Sequence, residues 1–580
     1  MTTQLPRVNW QERTDSTSSS SRRERSPSPR SVPGRLQTAI PPRPPQPRRK
    51  SKSRYFIEAL TALALAVAVF RTFVVEGFMI STGSMAPGLR GYHYRLECPD
   101  CRFSFAHTAT EKRPGEESGT DPQRVACPNC HYDHILLSGL PVNEGDQILV
   151  DKQAFEWRPP RRWDAVVFHN PQRPTETYAK RIIGLPGERV EIRDGDIYID
   201  GNLQRKGLTA QRQMRVLVSD SSYRPQLQDD DWQDSWTISS QGDSSAWERI
   251  DEGFRFDGSS SGALEFVQFR NWVRVGGSQR FQVPLEEWPN DVPLPSADAV
   301  LKYDSVQKRM SCRGALAAEV VRKLSELSAD ETFRAALAEL FDTSHTRPIQ
   351  DTTVYNPDSE APANAVHDIM LEAEVLPESM QSQFIVKMDD GWYGFECVFD
   401  FSAGTVRLML AGQDKVLREG SLPEIRFEET VQIEISTMDR QVLVAVNGET
   451  LFEPYAYRVE STATRRTVLV PIQFSSQSGP LEVHRLQVYR DIHYVPGSLP
   501  AHLNDSVEPR QLGPGELFVL GDNTQVSVDS RHWPAGSVTM PLVIGRPLVL
   551  HLPSRRQTIA IGPLETRVRI PEPERVRLLR

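Results

Sequence analysis

The sequence predicts a mainly β protein whose antiparallel strands follow one N-terminal transmembrane helix. Three observations lead there. Residues 55–75 form the one stretch that is long and apolar enough to cross a bilayer. Between residues 364 and 490, apolar and polar side chains alternate, as at Ile369, Leu371, Ala373 and Val375. That is the period of a half-buried strand. Asn447-Gly448 and Asp194-Gly195 each separate two such runs, which is hairpin chemistry. The chain has 580 residues, with 10 Trp, 23 Phe and 14 Tyr. A wholly disordered chain is thereby excluded, and a polytopic membrane protein is excluded by the single span. Six cysteines in this length make no disulfide scaffold.

Charge is unevenly spread. Residues 1–54 carry 13 Lys/Arg against three acids, a net of +10, which leaves −18 on the remainder of a chain of net charge −8. Nine prolines and the Ser18–Ser21 run prevent that tail from burying a core of its own, so a disordered basic tail is expected. Its cations gather at Arg43, Arg48, Arg49, Lys50, Lys52 and Arg54, directly before YFIEALTALALAVAVFRTFVV. A span over 55–75 with the cationic side kept in the cytoplasm satisfies the positive-inside rule. Glu58 and Arg71 then fall near the two ends, where they can reach the headgroups. The competing readings are a cleaved signal peptide and a buried helix. The first needs an unusually long basic region, and the second leaves the charge block unexplained.

Past the anchor the chain reads EGFMISTGSMAPGL, residues 76–89, in which Gly83-Ser84-Met85 makes a turn at the end of an extended run. A serine there is presented for chemistry, although a plain Ser/Gly loop reads the same way by itself. Downstream, Lys180 lies in TYAKRIIGLPGERVEIRDGDIYIDG, residues 177–201, at the end of a strand flanked by apolar residues. Desolvation there would lower the lysine pKa toward neutrality and allow it to take a proton from a serine. The other reading is a solvated edge charge, the usual fate of lysine. Near the far end, LGDNTQVSVDSRHWPAGSV, residues 520–538, opens on the tight turn Gly521-Asp522-Asn523 and spaces Asp529 and Arg531 to pair.

These segments occur in one order: anchor, S-T-G-S-M-A-P, E-G-D-Q-I-L-V-D-K, Y-x-K-R-I-I-G-L-P-G-E, G-D-N-x-x-x-S-x-D-S-R-x-W and I-G-R-P. Together they resemble bacterial type I signal peptidases, membrane-anchored Ser/Lys proteases. The resemblance spans residues 55–201 and 510–550. It implies Ser84 as nucleophile and Lys180 as general base, with no cofactor for catalysis. Thr82 would assist the Ser84 backbone N–H in an oxyanion hole. Ser527 would hold the Lys180 ammonium, Asp529 and Arg531 would form a supporting ion pair, and Asp522 with Gly521 would shape the backbone beside the dyad. The edge from Phe78 to Thr82 would receive an extended substrate. The implied partners are the lipid bilayer and secretory preproteins with small-x-small cleavage sites, with no nucleic acid. The implied location is the cytoplasmic (inner) membrane, single-pass, with the catalytic domain outside. Two departures stand out: Ser81 replaces the family's proline, and Thr524-Gln525-Val526 replaces its Arg-Asp-Asn. The other function class is an inactive or specialised homologue serving as a membrane-tethered binding protein.

Cys98, Cys101, Cys127 and Cys130 are spaced C-x2-C-x25-C-x2-C. Two Cys-Pro-x-Cys knuckles read as a zinc ribbon over 96–136, four thiolates around a structural Zn2+. Disulfides or a redox pair are the alternative, because the far side of a bacterial membrane is often oxidising. Cys312 and Cys397 read as buried thiols.

The expected organisation follows. The tail (1–54) and anchor (55–75) precede a first part of the peptidase core (76–201). An insertion (202–495) comprises a mixed region (202–363) and a β-sandwich (364–490). A second core part (496–555) and a C-terminal tail (556–580) close the chain. Within the mixed region five tryptophans suggest strands with long loops. Val320, Leu324 and Leu327 mark one helix, and Ser328-x-x-Glu331 reads as a capping box for a second, through Phe333, Leu337 and Leu340. The sandwich resembles concanavalin or laminin-G-like folds, which implies a glycan ligand. A structural or partner-docking insert is the alternative.

Overall fold

The computed structural model describes residues 52–579, apart from 110–123, 228–229, 240–244, 260–263, 275–278, 297–298, 357–362, 427–428, 461–462, 496–508 and 562–563. The basic tail therefore lies almost wholly outside the described residues. The chain divides into two units after Leu65, and helix α1 (Lys52–Phe73) crosses that division. Its 22 residues rise about 33 Å, enough for a hydrocarbon core. Among the described residues it alone is long and apolar enough to cross a membrane, and its spanning window is 0% buried. Its polar groups are answered locally. Glu58 accepts from Arg54 at 3.0 Å, and the Thr61 hydroxyl donates to the Ile57 carbonyl at 2.8 Å.

Within the second unit, α1 is followed by strand β1 (Val75–Met79). The other strands of its main sheet are β2 (Gln147–Asp151), β3 (Ala165–His169), β4 (Thr177–Gly184), β5 (Glu516–Leu520), β6 (Val538–Thr539), β7 (Val543–Leu550) and β8 (Arg577–Leu578). The order across it is β1-β2-β7-β3-β4-β5-β6, with β8 beside β7, and every pairing is antiparallel. Strands from the two ends of the chain thus interleave. β5 from beyond the insertion pairs with β4 from before it, Leu520 opposite Arg181. A second antiparallel sheet joins residues 189–193, 196–199, 202–203 and 510–511. Its hairpin turns at Asp194 and Gly195, with φ of 51° and 86°, the left-handed pair that a two-residue turn requires.

The insertion builds a sandwich of two antiparallel sheets. Phe254, Leu371 and Val483 of one sheet share a core with Phe384, Phe399 and Phe474 of the other. The sandwich starts earlier than the alternation at 364 suggests. Strands 216–220, 236–239, 247–250, 253–256 and 266–269 belong to its sheets, and Trp236 and Trp247 lie in its core. Residues 467–471, read as part of a strand, lie outside one, and the strand begins at Ile472 after Pro471, which has no N–H to donate. A small layer of strands 280–284, 301–304 and 309–313 packs on helices α2 (Ala318–Leu327) and α3 (Glu331–His345). Two helical expectations are corrected. Asp330, not Ser328, caps α3, because its carboxylate accepts from the N–H groups of Thr332 and Phe333. Leu327 is exposed, while Val320 and Leu324 pack inward. The stretch read as a C-terminal tail carries a hairpin, 554–561 with 564–571, before β8.

The insertion is docked by buried polar groups. Within the insertion, Lys206 ties its first residues to the sandwich, buried between Asp439 at 2.5 Å and Asp491 at 2.8 Å; two contacts cross to the cysteine knuckles. Asp100, inside the first cysteine knuckle, pairs with Arg274 at 2.8 Å and accepts from the N–H groups of Gln226 and Leu227. Asn129, at the matching place in the second knuckle, exchanges hydrogen bonds with the backbone of Asp220 and Tyr223.

Candidate active site and cysteine knuckles

Ser84 stands in a single 3-10 turn, Gly83–Met85, closed by the Ala86 N–H donating to the Gly83 carbonyl at 3.0 Å. Glycine is required at 83, since a Cβ there would lie 2.6 Å from the ring of Tyr355. Lys180 arrives from β4, opposite Val166 of β3 and next in register to the buried Ile182. Lys180 is 2% exposed and Ser84 9%. Its Nζ donates to Ser84 Oγ at 2.5 Å. Burial pushes the Lys180 pKa down from 10.5 to about 8; Arg531 adds to this, while Asp529 and Asp522 oppose it. A lysine lowered this far gives up its proton more readily than a solvated one. The Thr82 hydroxyl lies 3.4 Å from Ser84 Oγ.

Beyond β5, Gly521 closes against the Ser84 turn. A Cβ there would meet Ser527 Oγ at 2.2 Å and the Ser84 carbonyl at 2.4 Å. The Gly521 N–H donates to Asp529 at 3.0 Å. Asp529 is held bidentately by Arg531 at 2.8 and 2.7 Å, and both side chains are 0% exposed. Burial opposes the charge on Asp529. Hydrogen bonds from His532 and Arg531, with the Gly521 N–H, outweigh it and hold the carboxyl well below its usual range. Arg531 also reaches the carbonyls of Val495 and Thr524.

One expected contact differs. Ser527 is buried beside the dyad, but its Oγ has no hydrogen-bond partner among the described residues, because Lys180 Nζ is aimed at Ser84. Asp522 clamps the Arg181 guanidinium at 2.7 and 2.6 Å. Arg181 is adjacent to Lys180, so this pair anchors the strand that carries Lys180.

Asn523, Asn356 and Tyr355 were not singled out from sequence. Asn523 bonds to two carbonyls of the serine turn: its Nδ2 to Gly83 at 3.0 Å and its N–H to Ser84 at 3.1 Å. Its place in the Gly-Asp-Asn turn was a usable signal. Asn356 and Tyr355 carried none, since each meets the site only through contacts distant in the chain.

A cleft of about 260 Å3 runs past Ser84 and Lys180, lined by Phe78–Met85 on one side and by Tyr355, Asn356, Val526 and Val528 elsewhere. β1 pairs only with β2 among the described strands. Its other edge offers backbone groups to an extended peptide.

The four knuckle sulfurs all lie within 4.8 Å of one another, Cys98 Sγ 3.6 Å from Cys130 Sγ and Cys101 Sγ 3.7 Å from Cys127 Sγ. Zn–S bonds of about 2.3 Å at tetrahedral angles demand S···S separations of about 3.8 Å. The knuckles are copies of one another. Arg102 and His131, with φ of 66° and 59°, donate to the carbonyls of Cys98 and Cys127 at 3.0 Å each. Backbone N–H groups of Cys101 and Asn129 point at Cys98 and Cys127 Sγ, at 3.5 and 3.4 Å. Such donors stabilise thiolates.

A family model described as signal peptidase, peptidase S26, matches residues 141–253 and 432–551. Signal peptidase I of Leptolyngbya laminosa is 41% identical over 73 residues, which cover 11% of this chain and 35% of that protein. Signal peptidase I V of Bacillus subtilis (strain 168) is 36% identical over 77 residues, covering 13% and 45%. The chain thus spans less than half the length of these curated relatives. Among solved structures, carbohydrate-binding module CBM66 from Bacillus subtilis covers 20% of this chain and 73% of its own, at 11% identity and a TM-score of 0.16. A likeness at that score carries no argument about a ligand.

Proposed function

Because the chain belongs to the signal peptidase family, peptidase S26, we propose that it is a membrane-anchored serine endopeptidase that removes signal peptides from exported precursors. The observation that carries this reading is the buried lysine amine 2.5 Å from Ser84 Oγ. In the reaction, neutral Lys180 takes the Ser84 proton as Oγ attacks the scissile carbonyl carbon. The carbonyl oxygen becomes an oxyanion facing the Ser84 N–H and the Thr82 hydroxyl, donors that act on charge formed only in the transition state. Lys180 then returns the proton to the leaving amine, and the mature chain departs. A water deprotonated by the same lysine releases the signal peptide from the Ser84 ester.

The supporting parts follow from the geometry. Asp529 and Arg531 hold Gly521 against the serine turn, and Asp522 fixes β4 through Arg181. The substrate would lie along the open edge of β1, with small residues before the cut. The α1 helix would anchor the enzyme with its basic end in the cytoplasm and the catalytic unit outside. Four thiolates at the observed spacing support a structural Zn2+ held by Cys98, Cys101, Cys127 and Cys130. An inactive binding homologue would have no need of a desolvated lysine against its serine, since that burial only costs stability.

Lys180→Ala, reconstituted in vesicles with a secretory precursor, tests the mechanism. The expected result is no mature product. Cleavage at the wild-type rate would exclude Lys180 as the base.

A further inference from the structure

We propose that Thr353–Asn356, a segment of the large insertion, completes the peptidase site: Asn356 is a positioning residue for Ser84, and Tyr355 is a specificity-determining wall of the cleft. This rests on the reading of Ser84 as the nucleophile.

Asn356 and Asn523 face each other through a reciprocal amide pair. Asn356 Nδ2 donates to Asn523 Oδ1 at 2.9 Å, and Asn523 Nδ2 donates to Asn356 Oδ1 at 2.6 Å. The second use of Asn523 Nδ2 is the bond to the Gly83 carbonyl at 3.0 Å. Both asparagines are buried, at 7% and 4% exposure. A primary amide has one acceptor oxygen and one nitrogen with two N–H groups. The Gly83 carbonyl, which can only accept, sets which way round the Asn523 amide sits, and Asn356 engages its remaining N–H and its oxygen and so holds it in place. With Asn356 gone, the Asn523 side chain would keep only its bond to the Gly83 carbonyl, and the tether of the serine turn would loosen. A buried amide left unpaired is also unfavourable in its own right.

Tyr355 is fixed on three sides. Its hydroxyl accepts from the Gly91 N–H at 3.1 Å, its carbonyl accepts from the Thr108 N–H at 2.8 Å, and its ring packs with Ala86 and Ala106. The same ring occupies the space that any side chain at 83 would need, and it lines the cleft beside Ser84. The insertion is thus more than a passenger in a loop: it supplies part of the nucleophile's support and part of the substrate wall.

The test uses the full chain in vesicles, with precursors whose residue before the cut is Ala, Leu or Phe. Asn356→Ala is expected to lower kcat about tenfold or more, with KM within about twofold and the pH midpoint unmoved, as for a misplaced nucleophile. Asn523→Ala should behave alike, and the double variant should lose no more than Asn523→Ala alone. Tyr355→Ala should accept Leu or Phe before the cut, while Tyr355→Phe keeps the preference for Ala. Wild-type kcat in Asn356→Ala, or an unchanged preference in Tyr355→Ala, overturns the inference while Ser84→Ala stays inactive. A parallel collapse of melting temperature and KM in Asn356→Ala also overturns it, by assigning a merely structural role. Wild-type cleavage by Ser84→Ala would instead remove the nucleophile reading, and this inference with it.

Discussion

Replacing Lys180 by methionine should abolish cleavage and make the protein more stable at neutral pH. Methionine matches the length of the lysine stem without its charge. The folded state lowers the lysine pKa from 10.5 to about 8, with burial as the main cause. At 1.36 kcal/mol per pH unit this is about 3 kcal/mol by which the folded protein disfavours the charged amine. The sign follows from proton counting. Between about pH 8 and 10.5 the unfolded chain holds the proton and the folded protein does not, so wild-type stability rises with pH across that window. Below about pH 8 both states are protonated and the full penalty applies. The methionine variant should therefore lead wild type by about 3 kcal/mol at pH 7, or about 3 °C for a unit of this size melting as one. Its lead should shrink to nothing by about pH 10.5. Melting curves of the detergent-solubilised chain at pH 7, 8.5 and 10 read this directly. A variant no more stable than wild type at pH 7, or with a lead independent of pH, would refute the account of Lys180 as a desolvated base.

Three further outcomes follow from the site. The kcat/KM for precursor cleavage should rise through a midpoint at about pH 8, as Lys180 loses its proton; a profile flat from pH 6 to 9 would contradict it. Gly521→Ala puts a Cβ 2.4 Å from the Ser84 carbonyl and should cost about a hundredfold in kcat by displacing the nucleophile; steady-state kinetics showing a loss below about threefold would count against that close approach. Elemental analysis should find one zinc per chain, and Cys98→Ser should lose it; a metal-free, oxidised protein would replace the ribbon with disulfides.

The features that were legible in the sequence are those whose physics is local. An unbroken apolar run is a helix candidate wherever it sits, and Asp194-Gly195 and Asn447-Gly448 adopt the left-handed turns their side chains favour. The pairing of Ser84 with Lys180 was legible only through the order of several motifs, since nothing near either residue specifies the other. The early sandwich strands were hidden because they are four or five residues long and set among Asp, Ser and Gly. The Ser328-x-x-Glu331 pattern placed the cap of α3 two residues early, because Asp330, directly before the helix, is the side chain that meets its free N–H groups. Ser527 carried a role by resemblance that its hydrogen bonding does not reproduce. Asn356 could not have been found at all: its partner is 167 residues away, and its own surroundings in the chain are an ordinary polar loop.

The central claim is that Ser84 cuts secretory precursors at the outer face of a membrane. The most direct measurement is cleavage of a small-x-small precursor by wild type and by Ser84→Ala in membrane vesicles, with the product's new N-terminus sequenced. The account predicts a mature chain beginning just after the small-x-small site for wild type, and none for Ser84→Ala. Equal cleavage by both, or an intact precursor with each, would contradict it.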